Sequence, residues 1–166
     1  MNRMPKELKI IINPDPILRK ISRPIADEKI LDSALQRFFL DLQETMIKKD
    51  GAGLAAPQVG KNIRAIAVND NEKIRLMINP KIIKRSWARE VEEEGCLSVL
   101  NKKGEIVYGP VARHKKITCV YEDEKGNIKK ISAEKLLARV VQHEIDHLDG
   151  ILFIDKIANG KRVNLD

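Results

Sequence analysis

The sharpest chemical signal in the chain is His143-Glu144-Ile145-Asp146-His147, an H-E-x-x-H sequence inside an apolar-periodic stretch. Residues four apart share one face of a helix, so both imidazoles can reach one metal ion. Glu144 lies one residue beyond the first ligand and can point toward a metal-bound water. The metal would bring the pKa of that water toward ~7, and the carboxylate could then shuttle its proton. Two of the chain's three histidines fall at this spacing around a glutamate.

An open catalytic site needs a third protein ligand and one free position. His114 lies in Arg113-His114-Lys115-Lys116, a basic segment that would repel a cation, and reads as a solvated surface histidine. Cys119 shares a strand face with Ile117 and Tyr121 and reads as a small packed core residue. Cys96, in Glu93-Glu94-Gly95-Cys96-Leu97-Ser98, is the better candidate. Gly95 allows close backbone approach, and the neighbouring carboxylates suit a cationic centre. A third segment, Gly51-Ala52-Gly53-Leu54-Ala55-Ala56-Pro57-Gln58, leaves room for another backbone. Gln58 there offers both an amide donor and an acceptor.

These residues need elements to position them. The chain has 166 residues, which fits one domain spanning 1–166. Hydrophobic residues make up 43%, enough for a single core, and exclude collagen-like and low-complexity classes. Leu31, Leu35, Phe38, Leu42 and Met46 recur at helical spacing, predicting a helix from about Asp32 to Lys49. Asp27 or Asp32 could cap it, and Asp50-Gly51 stops it. Ile10–Ile12 is a short extended stretch. Residues 63–68, 74–78 and 82–83 read as short strands. The alternation in Lys115–Tyr121 and the turn Glu124-Lys125-Gly126-Asn127 predict a hairpin returning through Ile128–Ile131. A second helix, capped by Ser132, carries Leu136, Leu137, Val140, Val141, Ile145 and Leu148 and ends at Asp149-Gly150. The pattern is α+β: small mixed or antiparallel sheets around a central C-terminal helix bearing the H-E-x-x-H, with an N-terminal helix.

No apolar run is long enough to span a membrane, and the N-terminus lacks the long apolar stretch of a secretory signal. Two cysteines without such a signal point to free thiols in a reducing compartment. The 31 Lys and Arg against 24 Asp and Glu leave a formal net charge of +7. That charge is scattered and aromatic residues are only 4%, which argues against sequence-specific nucleic-acid binding.

The segments Gly51–Gln58 (GAGLAAPQ), Glu94–Ser98 (EGCLS) and Gln142–Gly150 (QHEIDHLDG) resemble, in order and separation, the three motifs of the peptide deformylases. The stretch Asn13–Arg19 is similar to that family's N-terminal segment, so the resemblance covers nearly the whole chain. It implies that Cys96, His143 and His147 hold one divalent metal with water as fourth ligand. Fe2+ is the family's usual ion, with Zn2+, Ni2+ or Co2+ also acceptable to such donors. The implied reaction is hydrolysis of the N-formyl group from the formyl-methionine of nascent chains, releasing formate, in the cytoplasm or an organelle.

On that reading Glu144 is the general acid and base. The Gln58 amide and the Leu97 backbone N–H stabilise the oxyanion. The backbone around Gly53 and Leu54 pairs with the extended substrate as a strand added to a sheet edge. Leu136 and Val140 wall the methionine pocket, and Asp146 either orients a ligand or is an exposed helix carboxylate. The ribosome is an expected partner, although the ending Asn159–Val163 does not read as a long docking helix. The chain departs from the family pattern at Leu100, where proline is common after EGCLS-Val, and at Lys103, where arginine is frequent. Two rival readings use the same helix: a metallopeptidase with its third ligand among Asp149, Asp155 and Asp166, and a structural metal site with four protein ligands.

Overall fold

The computed structural model describes residues 4–71, 73–158 and 163–165. A four-residue helix α1 (Asp27–Ile30) leads into α2 (Ser33–Lys48). Of the two candidate caps, Asp32 is the one used: its carboxylate accepts from the N–H groups of Ala34 and Leu35 at 2.9 and 3.1 Å. Phe38, Phe39, Leu42 and Met46 form the buried face of α2.

Strands β1 (Gly53–Ala55), β2 (Ala65–Asp70) and β3 (Lys73–Arg85) follow, then β4 (Arg89–Leu100), β5 (Ile106–His114), β6 (Lys116–Glu122) and β7 (Ile128–Glu134). Five of them form one antiparallel sheet in the order β1-β2-β3-β6-β7; β4 and β5 form a second, two-stranded sheet. The last α-helix among the described residues is α3 (Lys135–Leu148).

Side-chain alternation explains the layering. Along β2, Ala65 and Ala67 join the core beneath α2, whereas Ile66 and Val68 join the core beneath α3. The large sheet thus lies between the two helices. Both faces of β2 are covered, which is why Ala65-Ile66-Ala67-Val68 is apolar without a break. A third apolar cluster, with Leu18, Cys96, Val99, Val111, Leu152 and Phe153, fixes the β4–β5 sheet to the chain beyond α3. Each fully buried Leu or Phe in these clusters contributes about 1.5–3 kcal/mol.

Several local expectations need correction. The strands read at 74–78 and 82–83 are one strand, β3, with register shifts between Ile78 and Lys81 and between Ile82 and Lys84. Ser132 does not cap α3. It pairs with Thr118, β7 continues to Glu134 opposite Lys116, and Lys135 turns the chain into the helix at φ 52°. Within Gly51–Gln58, Gly53–Ala55 is a strand that no local pattern predicts, and it pairs with β2. The hairpin at 123–127 forms as expected. Asp123 accepts from the N–H groups of Lys125 and Asn127, and Gly126 takes φ 79°. Of the ending 159–163, residues 159–162 lie outside the described residues, as does Asp166.

Candidate functional site

Helix α3 is buried from Ala138 through Leu148, so its polar residues must find partners inside the protein. His143 Nδ1 donates to Glu94 Oε2 at 2.9 Å, which leaves Nε2 facing the cleft. Glu94 is itself clamped. Arg113 donates to both its oxygens at 2.9 Å, and Arg139 donates to Oε1 at 2.7 Å. Burial alone would raise the Glu94 carboxyl; the hydrogen bonds and charge of Arg113, with His143, hold it far below the usual carboxylate range. Arg113 also reaches Asp146, whose other oxygen accepts from Lys156 at 2.7 Å.

Cys96 is 5% exposed on β4. Its Sγ lies 3.3 Å from His147 Nε2, 3.4 Å from the Ser98 nitrogen and 3.5 Å from Gln58 Nε2. The donor atoms of Cys96, His143 and His147 all fall within 4.8 Å of one another. One sulfur and two imidazole nitrogens are a donor set for a borderline-soft divalent cation, and three ligands leave a position open. Burial, and next the charge of His143, push His147 well below its ordinary pKa, so it is the neutral ligand form. Phe153 stacks on the His143 ring at 6.2 Å.

Glu144 faces the same point. Burial pushes its carboxyl up to about 7. Its Oε2 is buried with no hydrogen-bond partner among the described residues. A buried unpaired carboxylate oxygen is costly unless a ligand or water completes it. Gln58 is orientated by its own carbonyl: Oε1 accepts from the Ala55 N–H at 2.8 Å, so Nε2 points toward Cys96 and Ser98.

The cleft above these groups has a volume of about 250 Å3. Gly51–Gly53 and Gln58 line one side, Glu93–Leu97 the other, and Leu136, Val140, His143 and Glu144 the floor.

A family profile described as polypeptide deformylase matches residues 7–163. The chain belongs to the polypeptide deformylase family. A peptide deformylase of Pseudothermotoga lettingae is 45% identical over 154 residues, covering 93% of this chain and 85% of that protein. The crystal structure of the Thermotoga maritima peptide deformylase superposes with a TM-score of 0.85 at 37% identity, over 92% of this chain and 99% of that one. A Met-Ala-Ser-bound deformylase structure from Acinetobacter baumannii gives a TM-score of 0.84 at 31% identity, over 93% and 100% of the two chains. The deformylase fold thus accounts for both the α+β architecture and its C-terminal helix.

Of the sequence-stated site residues in this family member, Cys96, His143, His147, Glu144 and Gln58 converge as described. Gly53, Leu97, Leu136 and Val140 line the cleft. The Leu54 side chain is wholly buried in the core beneath α2 and does not line the cleft, which leaves the expectation resting on its backbone alone. Leu136 is 65% exposed, at the rim rather than in a closed wall. His114 is half-buried, and its Nδ1 donates to the Ser86 carbonyl at 2.6 Å, so it is neither a ligand nor free in solvent. Asp146 is buried against Arg113 and Lys156, not exposed. Asp149 pairs with Arg64 and Asp155 with Arg19, away from the ligand cluster.

Sequence reasoning missed Glu94, Arg113 and Arg139 as a unit. Glu94 borders Cys96, but its partners lie 19 and 45 residues away. No local pattern announces such a pairing.

Proposed function

We propose that Cys96, His143 and His147 hold one divalent cation, Fe2+ in the cell, and that the cleft deformylates N-terminal formyl-methionine. The protein is a metal-dependent family member and a hydrolase of N-formyl amides. The observation that supports the site assignment best is the convergence of one thiol sulfur and two imidazoles beside the unpaired Glu144 oxygen. A bound cation would supply an acidified water and a polarised formyl oxygen.

The chain's own groups do the rest. Glu144 accepts a proton from the attacking water and later delivers it to the leaving amine, so water and formamide become formate and a free N-terminus. The Gln58 amide and the Leu97 N–H donate to the formyl oxygen as it gains negative charge. Strands β1 and β4 each have one edge facing the cleft, since β1 pairs with β2 and β4 with β5. An extended peptide fits between those edges as an added strand, with Gly53 leaving room for its backbone. The related Acinetobacter baumannii deformylase was crystallised with Met-Ala-Ser, the form such a product takes. Val140 and Leu136 would receive the methionine side chain.

The same reading takes residues 1–166 as one catalytic domain, cytoplasmic, and in transient contact with the ribosome. No helix among the described residues is long and apolar enough to cross a membrane.

Anaerobic purification with metal analysis and a formate-release assay tests the reading. One equivalent of iron and formate release from formyl-Met-Ala-Ser are expected. Glu144→Ala should keep the metal and lose about 100-fold to 10,000-fold in rate. Retention of wild-type turnover in that variant would remove Glu144 from the mechanism.

A further inference from the structure

Trp87 is the chain's one tryptophan, and it is 100% exposed. A large aromatic surface fully in water is unusual, because burying it is strongly favourable. It stands on the turn between β3 and β4, and that turn is firmly held. The Ser86 N–H donates to the Lys116 carbonyl at 2.8 Å and the Lys115 N–H to the Ala88 carbonyl at 3.0 Å. His114 Nδ1 donates to the Ser86 carbonyl, and Ser86 Oγ bonds the Ala88 carbonyl and the Lys116 nitrogen. The indole is therefore presented on a fixed platform.

Cations flank it in the sequence of the hairpin, two or three residues away on either strand. Lys84, Arg85 and Arg89 are exposed and have no carboxylate partner among the described residues. Arg89 bonds the Ala112 carbonyl, which orients its guanidinium. Arg85 and Arg89 line a polar cleft of about 130 Å3. The acids in that cleft are already matched, Asp146 by Arg113 and Lys156, and Asp149 by Arg64. This cleft is on the far side of α3 from the catalytic one: Gln142, Ile145 and Asp149 face it, whereas Val140, His143 and Glu144 face the other.

We infer that the β3–β4 turn is a docking point for single-stranded RNA, with an unpaired base stacked on Trp87 and phosphates held by Lys84, Arg85 and Arg89. A rigid exposed indole flanked by unmatched cations has the two features such sites combine, a stacking face and a phosphate track. The contact carries no base code, so it is non-specific in sequence. RNA as occupant rests on the deformylase reading, because a nascent-chain substrate is met at an RNA-rich surface. Docking there leaves the catalytic cleft open.

The test titrates a single-stranded RNA of about twelve nucleotides into the full-length protein and follows intrinsic fluorescence. With a single tryptophan, quenching of the indole emission, excited where the two tyrosines do not absorb, reports on this turn alone. Saturable quenching is expected, with a log–log salt slope near −2 for three phosphate contacts. Trp87→Ala should weaken binding about tenfold, read by anisotropy of labelled RNA, and Trp87→Phe should restore part of it. Arg85→Glu with Arg89→Glu should flatten the salt slope by about 1.4. Formate release from a short formyl-methionyl peptide should be unchanged in all of these variants. Absence of quenching, or equal RNA affinity for Trp87→Ala, overturns the inference. A fluorescence shift with phosphatidylserine vesicles but not with RNA also overturns it, in favour of a membrane surface. Loss of formate release in the unaltered protein would sink the deformylase reading instead, whatever the RNA titration shows.

Discussion

Gly53 lies so close to Glu144 that a β-carbon at position 53 would be 2.5 Å from the Glu144 Oε1 and 2.8 Å from Val140 Cγ1. The first motif is thus shaped around the carboxylate of the third. Any side chain at 53 must displace the Glu144 carboxylate or the helix wall beside it. Gly53→Ala is therefore expected to lower kcat/KM by about tenfold or more, roughly 1.4 kcal/mol of transition-state stabilisation. Metal content should stay at the unaltered level, because no ligand atom is touched. Kinetics paired with metal analysis checks this; an unchanged rate would mean Glu144 has freedom that the packing denies it.

The histidines and Glu144 were legible in the sequence because their spacing is a property of one helix turn. The α2 stripe was legible for the same reason. The β4–β5 sheet was not. Its first strand, Arg89–Leu100, is mostly charged on its outer positions and masks the period-two signal. Glu94 looked like one of several acids near a cation site, and Arg113 like part of a repelling basic run. Folding turns both into a buried pair. Strand β1 was not legible because three residues of Gly-Leu-Ala carry no strand signature until β2 pairs with them.

Glu94 holds three buried cationic or proton-donating groups: Arg113, Arg139 and His143. Replacing its charge would leave two buried guanidinium groups facing a neutral amide. Glu94→Gln is expected to cost about 3–5 kcal/mol in urea-induced unfolding. It should also weaken metal retention about 10-fold to 100-fold, because the His143 ring loses the carboxylate that fixes its orientation. Unfolding curves and a chelator competition read the two effects separately. A stability change below about 1 kcal/mol would show that the network is replaceable by neutral hydrogen bonds.

Gln58 is held by Ala55 through its carbonyl, which commits its amide hydrogens to the cleft. Gln58→Ala is expected to reduce kcat about 100-fold to 1,000-fold with a smaller change in KM, the pattern of a donor that acts as negative charge develops. Glu at this position should fare no better, since its carboxylate cannot donate. Steady-state kinetics on a formyl-methionyl tripeptide decides the matter, and a pure KM effect would reassign Gln58 to ground-state binding.

Cys119 is fully buried beneath α3, and burial pushes its thiol up to about 11. The thiolate is the reactive form, so Cys119 should resist alkylation in the native protein at pH 8 and react only after unfolding. The sign of the linked pH effect follows. The folded state keeps this proton when the unfolded chain, with a thiol pKa near 8.5, has released it. Stability from this group is therefore complete below about pH 8.5 and is lost as the pH rises toward 11, by up to about 1.4 kcal/mol per pH unit. Tyr and Lys titrate in the same range, so the comparison is with Cys119→Ala, whose stability should fall less steeply over that window. Parallel slopes for the two proteins would show that this thiol ionises as readily in the fold as outside it.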